Sequence, residues 1–239
     1  MIRIASPLAS RLTGSVAVLA ALAAAPGASA AAVTQYGSRA TFDAAGSFVP
    51  VDWGLFGPAG AYISTPDFRT VAGLSVGLGS SQGTLARHDE GTDFLGDFTA
   101  GDRLVTDDAS QSDSFIVRFG TPVLGFGTQV APHYMTGPFS GYVDVYSSAS
   151  ALLYTAGFSG IATTSEDDSA PFVGVLSSSA DISYAYFFVN QPNSGLGPAG
   201  ALAINRLDVL AAPAPVPEPV SLALVLTGLA GIGALRRRP

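Results

Sequence analysis

Helical periodicity is almost missing from the 239 residues of this chain. From Thr70 to Leu210 the apolar residues come in short runs, some wholly apolar and some alternating with polar residues. Gly, Pro, Ser and Asp close the runs. A period of two sends successive side chains to opposite faces of a strand, whereas a helix needs apolar residues three and four apart. Only Ser38–Ala45 departs from this pattern, with Ser38 placed to cap a turn or two that carries Ala40, Phe42 and Ala44. The chain is therefore read as all-β.

The clearest strands are Thr70–Leu78, Ser114–Phe119, Val123–Val130, Gly141–Tyr146, Leu152–Phe158, Phe172–Leu176, Ile182–Val189 and Ala201–Leu210. Val143 and Val145 face one side of their strand, and Tyr142, Asp144 and Tyr146 the other. Tyrosine alternates with Ser and Ala from Ser183 to Phe187. In the last strand Ala203, Asn205, Leu207 and Val209 point opposite to Leu202, Ile204, Arg206 and Asp208. Gly73, Gly77, Gly125 and Gly127 lie inside strand patterns and suggest bulges or sharp bends. Turn clusters fall at Ala131–Pro138, Ser165–Pro171 and Asn190–Gly200. The expected architecture is about eight to ten antiparallel strands in two packed sheets, a jelly-roll-like β-sandwich. No fixed-period repeat points to a propeller or solenoid.

Both ends read as addresses. Arg3 and Arg11 precede the Ala/Leu/Val-rich stretch Leu12–Ala25, and Ala28-Ser29-Ala30 offers the small residues that signal peptidase needs, so residues 1–30 are expected to be a secretory signal peptide. The β domain then occupies residues 31–212, enough for one core. Residues 213–219 form a Pro-rich spacer ending in Val216, Pro217, Glu218 and Pro219, and prolines hold off a helix until that point. The uncharged run Val220–Leu235 would make about 24 Å of helix, slightly short of a ~30 Å hydrocarbon core. Arg236, Arg237 and Arg238 can reach to the interface and would stay in the cytoplasm. Residues 220–239 are thus expected to be a transmembrane helix with an arginine cluster.

Pro217-Glu218-Pro219, the apolar run and the terminal arginines together resemble a PEP-CTERM sorting domain. That resemblance implies a Gram-negative host making extracellular polysaccharide. It also implies exosortase as the membrane enzyme that reads the signal, with Glu218 at its centre. The protein would be exported, held at least transiently in the inner membrane, and released to the cell surface or matrix. A looser resemblance rests on Gly101–Val105, Thr121–Gly127, Ala170–Val175 and Leu202–Leu207. These segments are similar to sandwich domains joined to such tails, which resemble carbohydrate-binding modules.

With the ends set aside, the domain keeps 6 Arg against 17 acidic residues, a balance of −11. Such a charge opposes nucleic acid and anionic lipid as partners and is compatible with calcium or neutral sugars. Cysteine is absent, so the core must hold without disulfides and thiolate chemistry is excluded.

Catalytic constellations are hard to find. Gly73-Leu74-Ser75-Val76-Gly77 has nucleophile-elbow spacing, but no helix pattern follows it, so a Gly-bent strand is preferred. His88-Asp89-Glu90 is the densest titratable cluster, yet neighbours on an extended chain point apart, and His133 lies alone in a loop. The stretch Asp89–Asp108, with Asp89, Glu90, Asp93, Asp97, Asp102, Asp107 and Asp108 between glycines, has the oxygen supply for calcium. Solvated loop carboxylates explain the same residues without a metal and are the preferred reading, and more so for Glu166-Asp167-Asp168, so no metal ligand is assigned. Trp53 beside Asp52, or Tyr134 and Tyr142, would suit a sugar ring, with a core aromatic preferred for Trp53. The chain is therefore expected to be no enzyme. It reads first as a structural or adhesive matrix component, and second as a carbohydrate-binding module with or without calcium.

Overall fold

The computed structural model describes residues 31–80, 84–107, 115–133, 136–190 and 201–213. The expected signal peptide, the sorting motif Val216–Pro219, the apolar run 220–235 and Arg236–Arg238 lie outside the described residues, as do Tyr134 and Asp108. Among the described residues no helix is long and apolar enough to cross a membrane.

The fold is nearly all antiparallel β. Fourteen strands are described: β1 Val33–Tyr36, β2 Val49–Val51, β3 Tyr62–Ile63, β4 Asp67–Val71, β5 Leu74–Ser80, β6 Leu85–Asp89, β7 Arg103–Asp107, β8 Phe115–Pro132, β9 Gly137–Tyr146, β10 Leu152–Ala162, β11 Phe172–Ser177, β12 Ile182–Asn190, β13 Leu202–Ile204 and β14 Leu207–Ala211. One short helix, α1 (Arg39–Asp43), is capped by Ser38, whose hydroxyl accepts from the Thr41 N–H as expected. A 3-10 turn spans Trp53–Phe56.

Strand β8 is the hub. Its first half, up to Val123, pairs with β5 on one side and β12 on the other. The chain of ladders continues from β12 through β9 to β10. Beyond Val123 the same strand pairs with β11 and β14, which carry β1 and β2 respectively. Its last residues pair with β13, the start of a third ladder through β7, β6 and β3. Side chains from all these wings meet in one apolar core, with Val143, Val145 and Phe187 from the first and Val173, Val175 and Val209 from the second.

Several sequence expectations change in detail. Thr70–Leu78 is two strands: Ala72 and Gly73 both take positive φ and turn β4 back on β5. Ser114–Phe119 and Val123–Val130 belong to one strand, because Pro122 sits between the ladder pairs of β8, where its missing N–H interrupts none of them. The last strand breaks at Asn205-Arg206, and its two faces are both buried because β13 and β14 join different ladders. Gly77 and Gly127 lie in register, whereas the β8–β14 ladder shifts register beside Gly125; each of the three opens a hollow for a neighbouring side chain. Gly127 pairs directly with Gly174, and the Phe42 ring of α1 settles over both. Strands β1, β2, β3, β6 and β7 were not foreseen; most are too short to show a period.

Candidate functional site

The acidic stretch folds into a loop whose carboxylates are each taken by their own donors. Asp93 accepts from the Asp89 N–H at 2.7 Å and faces His88 Nδ1 at 3.0 Å. Asp97 accepts from the N–H and hydroxyl of Thr163, at 2.7 and 2.5 Å. Asp102 accepts from Asn205 Nδ2 at 3.0 Å, and Asp89 pairs with Arg87. Among the described residues no three His, Asp or Glu side chains gather as they would around a metal ion. In the second acidic cluster Asp168 receives Gln129 Nε2 at 2.7 Å, while Glu166 donates its N–H to the Gly96 carbonyl and so ties the two loops together.

Beneath this loop lies a small titratable cluster. Glu90 is 1 % exposed and accepts the Gly96 N–H at 2.6 Å through one oxygen. Burial, with Glu166 and Asp97 nearby, pushes its carboxyl up to about 7 against the bonds from Gly96 and Phe98. His133 is buried and stacked on Phe94 at 4.6 Å, with His88 at 5.7 Å. Burial first, and His88 second, lower it to about 3, so its ring is neutral at ordinary pH. His88 and His133 come together although they stand 45 positions apart in the sequence. Ser75 lies in β5, paired with Thr70 in the hairpin, and no helix follows it.

Trp53 is fully buried, so its ring offers no face to a sugar. Its indole N–H donates to the Asn205 carbonyl at 2.6 Å. Asn205 stands at the break between β13 and β14, where the ladder to β8 changes hands. Its side chain replaces the missing strand bonds, accepting from the Gln129 N–H at 3.1 Å and donating to Gln129 Oε1 at 2.6 Å. The polar groups here form a structural joint.

The outward face of β9 and β12 is different. Alternation on both strands puts Val143, Val145, Ala185 and Phe187 in the core and leaves Tyr142, Tyr146, Tyr184, Tyr186 and Phe188 on the other side. The register sets Tyr184 opposite Tyr146 and Phe188 opposite Tyr142. The rings follow this pairing: Tyr146 and Tyr184 stack at 5.0 Å, and Tyr142 and Phe188 at 4.6 Å. Tyr186 bridges them, lying parallel to Phe188 at 6.1 Å and edge-on to Tyr184 at 5.7 Å. Arg118 of β8 lies over the Tyr184 ring at 5.2 Å. Asp144 sits between the two tyrosines of β9 and accepts from Thr155 Oγ1 at 2.6 Å. Burial, then Asp144, raises the Tyr146 phenol above its usual range. Tyr142 ends the ladder with 39 % of its surface open. Of the aromatic candidates in the sequence, Tyr142 is exposed on this face, Trp53 is buried, and Tyr134 lies outside the described residues. The neighbours of Tyr142, namely Tyr146, Tyr184, Tyr186 and Phe188, were missed because their strand pairing was not legible.

No family model matches the sequence, and no curated protein matches it. Among solved structures, a DUF4465 family protein from Bacteroides caccae aligns with a TM-score of 0.41 at 9% identity, covering 69% of this chain and 98% of that one. A likeness of that size carries neither fold nor activity across.

Proposed function

We propose that this chain is an exported surface or matrix protein, sorted through Val216–Pro219 and Arg236–Arg238. Its domain is a non-catalytic two-layer β-sandwich that binds extracellular polysaccharide along the β9–β12 face. The aromatic ladder carries this reading. Five rings on one face, with Arg118 and Asp144 among them, combine apolar area with the polar groups that sugar hydroxyls require. The meeting of the β9–β12 and β11–β14 side chains in one core supports the two layers. The rival reading is a purely structural coat, and the mutual stacking of Tyr146 and Tyr184 favours it.

A glycan array probed with the full chain separates the two. Saturable binding that Tyr142→Ala or Phe188→Ala weakens about tenfold, ~1.4 kcal/mol, supports the sugar-binding face. No binding to any glycan overturns it in favour of the coat. Binding is expected to survive a chelator, because the carboxylates from Asp89 to Asp102 are already engaged by protein donors. The sorting reading has its own test: Glu218→Ala, or loss of the host exosortase, retains the protein in the inner membrane at its precursor size. Unchanged size and location in both would overturn it.

A further inference from the structure

Sheet edges invite pairing with another chain unless they are short, charged, bulged or interrupted by proline. Among the described residues, β1, β2, β3, β4 and β10 each pair on one side only. β1, β2 and β3 are 4, 3 and 2 residues long, and β2 contains Pro50. β4 carries Asp67 and Arg69, which pair with each other at 2.8 Å. β10 has 11 residues, Leu152 to Ala162, with no charge and no proline.

Its free side is well defined. Gly157 turns its carbonyl away from β9, since Gln35 Nε2 of β1 donates to it at 2.6 Å. Peptide groups along an antiparallel strand alternate in direction, and the register with β9 is regular from Tyr154 to Ala162. Thr155, Ser159 and Ile161 therefore also direct their N–H and C=O groups outward. Their side chains are exposed, Ile161 by 65 %. The protections present are a register shift near Leu152 and the approach of β1, which sets Gln35 on the Gly157 carbonyl.

We propose that β10 pairs antiparallel with β10 of a second copy, joining two sheets edge to edge across a two-fold axis. An axis at Phe158 sets Thr155 against Ile161 and Gly157 against Ser159, so the outward groups of one copy meet their complements on the other once the Gly157 carbonyl exchanges its bond from Gln35 for one from Ser159. A domain with a balance of −11 repels its own copies over most of its surface, and a strand without charge is where that repulsion is least. A charged peptide partner gains nothing from such an edge. The inference does not depend on the sugar-binding reading.

The test uses the full chain, with mass measured by sedimentation. Wild type is expected to dimerise. Ser159→Lys with Ile161→Lys, and separately Ser159→Glu with Ile161→Glu, are expected to weaken the dimer at least about tenfold. Mixing the Lys and Glu forms restores it as a heterodimer. Ser159→Pro, which removes one outward N–H while leaving the bonds to β9, also weakens it. All variants should keep the wild-type circular dichroism, because both side chains are exposed. A monomeric wild type, a dimer that survives the lysines (as one held by the apolar run 220–235 would), or a mixture that fails to recombine each overturns the proposal.

Discussion

At Glu90 and His133, single side chains leave a signature in the pH dependence of stability. Glu90 titrates near 7 in the folded protein against 4.5 when exposed, so the fold binds its proton more tightly. Its contribution is full below pH 4.5 and is lost as pH rises to 7. His133 is shifted the other way, from 6.5 down to about 3, and its contribution is full above pH 6.5 and is lost as pH falls. Between pH 4.5 and 6.5 the two slopes oppose each other and stability stays nearly flat. Glu90→Gln should expose the histidine, giving stability that rises with pH by up to ~1.4 kcal/mol per unit. His133→Phe should give the opposite slope. Urea titrations across that window measure both, and parallel profiles for the two variants would contradict the assignment. At Gly127 a Cβ would lie 2.5 Å from Phe172 Cζ and 2.9 Å from Phe42 Cε1. Gly127→Ala should cost about 1–3 kcal/mol, and Phe42→Leu should recover part of it in a double-mutant cycle.

For the elements, legibility followed length and alternation. β9 and β12 showed in the sequence because Val143, Val145, Ala185 and Phe187 alternate with tyrosines. β2 and β3 did not, since two or three residues define no period. The joint between β13 and β14 reads in the sequence as one continuous strand, because Ala201–Leu210 keeps a plausible alternation through Asn205. What ends it is pairing far along the chain: Asn205 substitutes its side chain for a ladder bond to Gln129, and nothing local announces this. Asn205→Ala would strand the buried Gln129 N–H and side-chain carbonyl together. A loss of about 2–4 kcal/mol is expected, by chemical denaturation, with Trp53 fluorescence reporting the change at its hydrogen-bonded indole. The aromatic face has the same history. Tyr142 was visible alone, but the ladder required knowing that β12 lies beside β9.

For the whole molecule, the sequence disclosed the class and the absence of thiol chemistry, while the joining of wings through one strand stayed hidden. The 18 residues of β8 contribute to ladders with β5, β12, β11, β14 and β13. The β4–β5 and β9–β10 hairpins are local, but the partners of β8 come from almost the entire length of the domain, so no wing can join the others early from neighbours in the chain. Closing such distant segments costs entropy before any contact repays it, which predicts slow refolding, in the millisecond-to-second range of β proteins. Stopped-flow refolding measures that rate. On the export proposed above, a polypeptide emerging from a translocation channel would hold its apolar strands open until residues beyond 200 had crossed. Melting should accordingly be all-or-none, with equal calorimetric and van't Hoff enthalpies, since no fragment retains a complete partner set once the shared strand comes free.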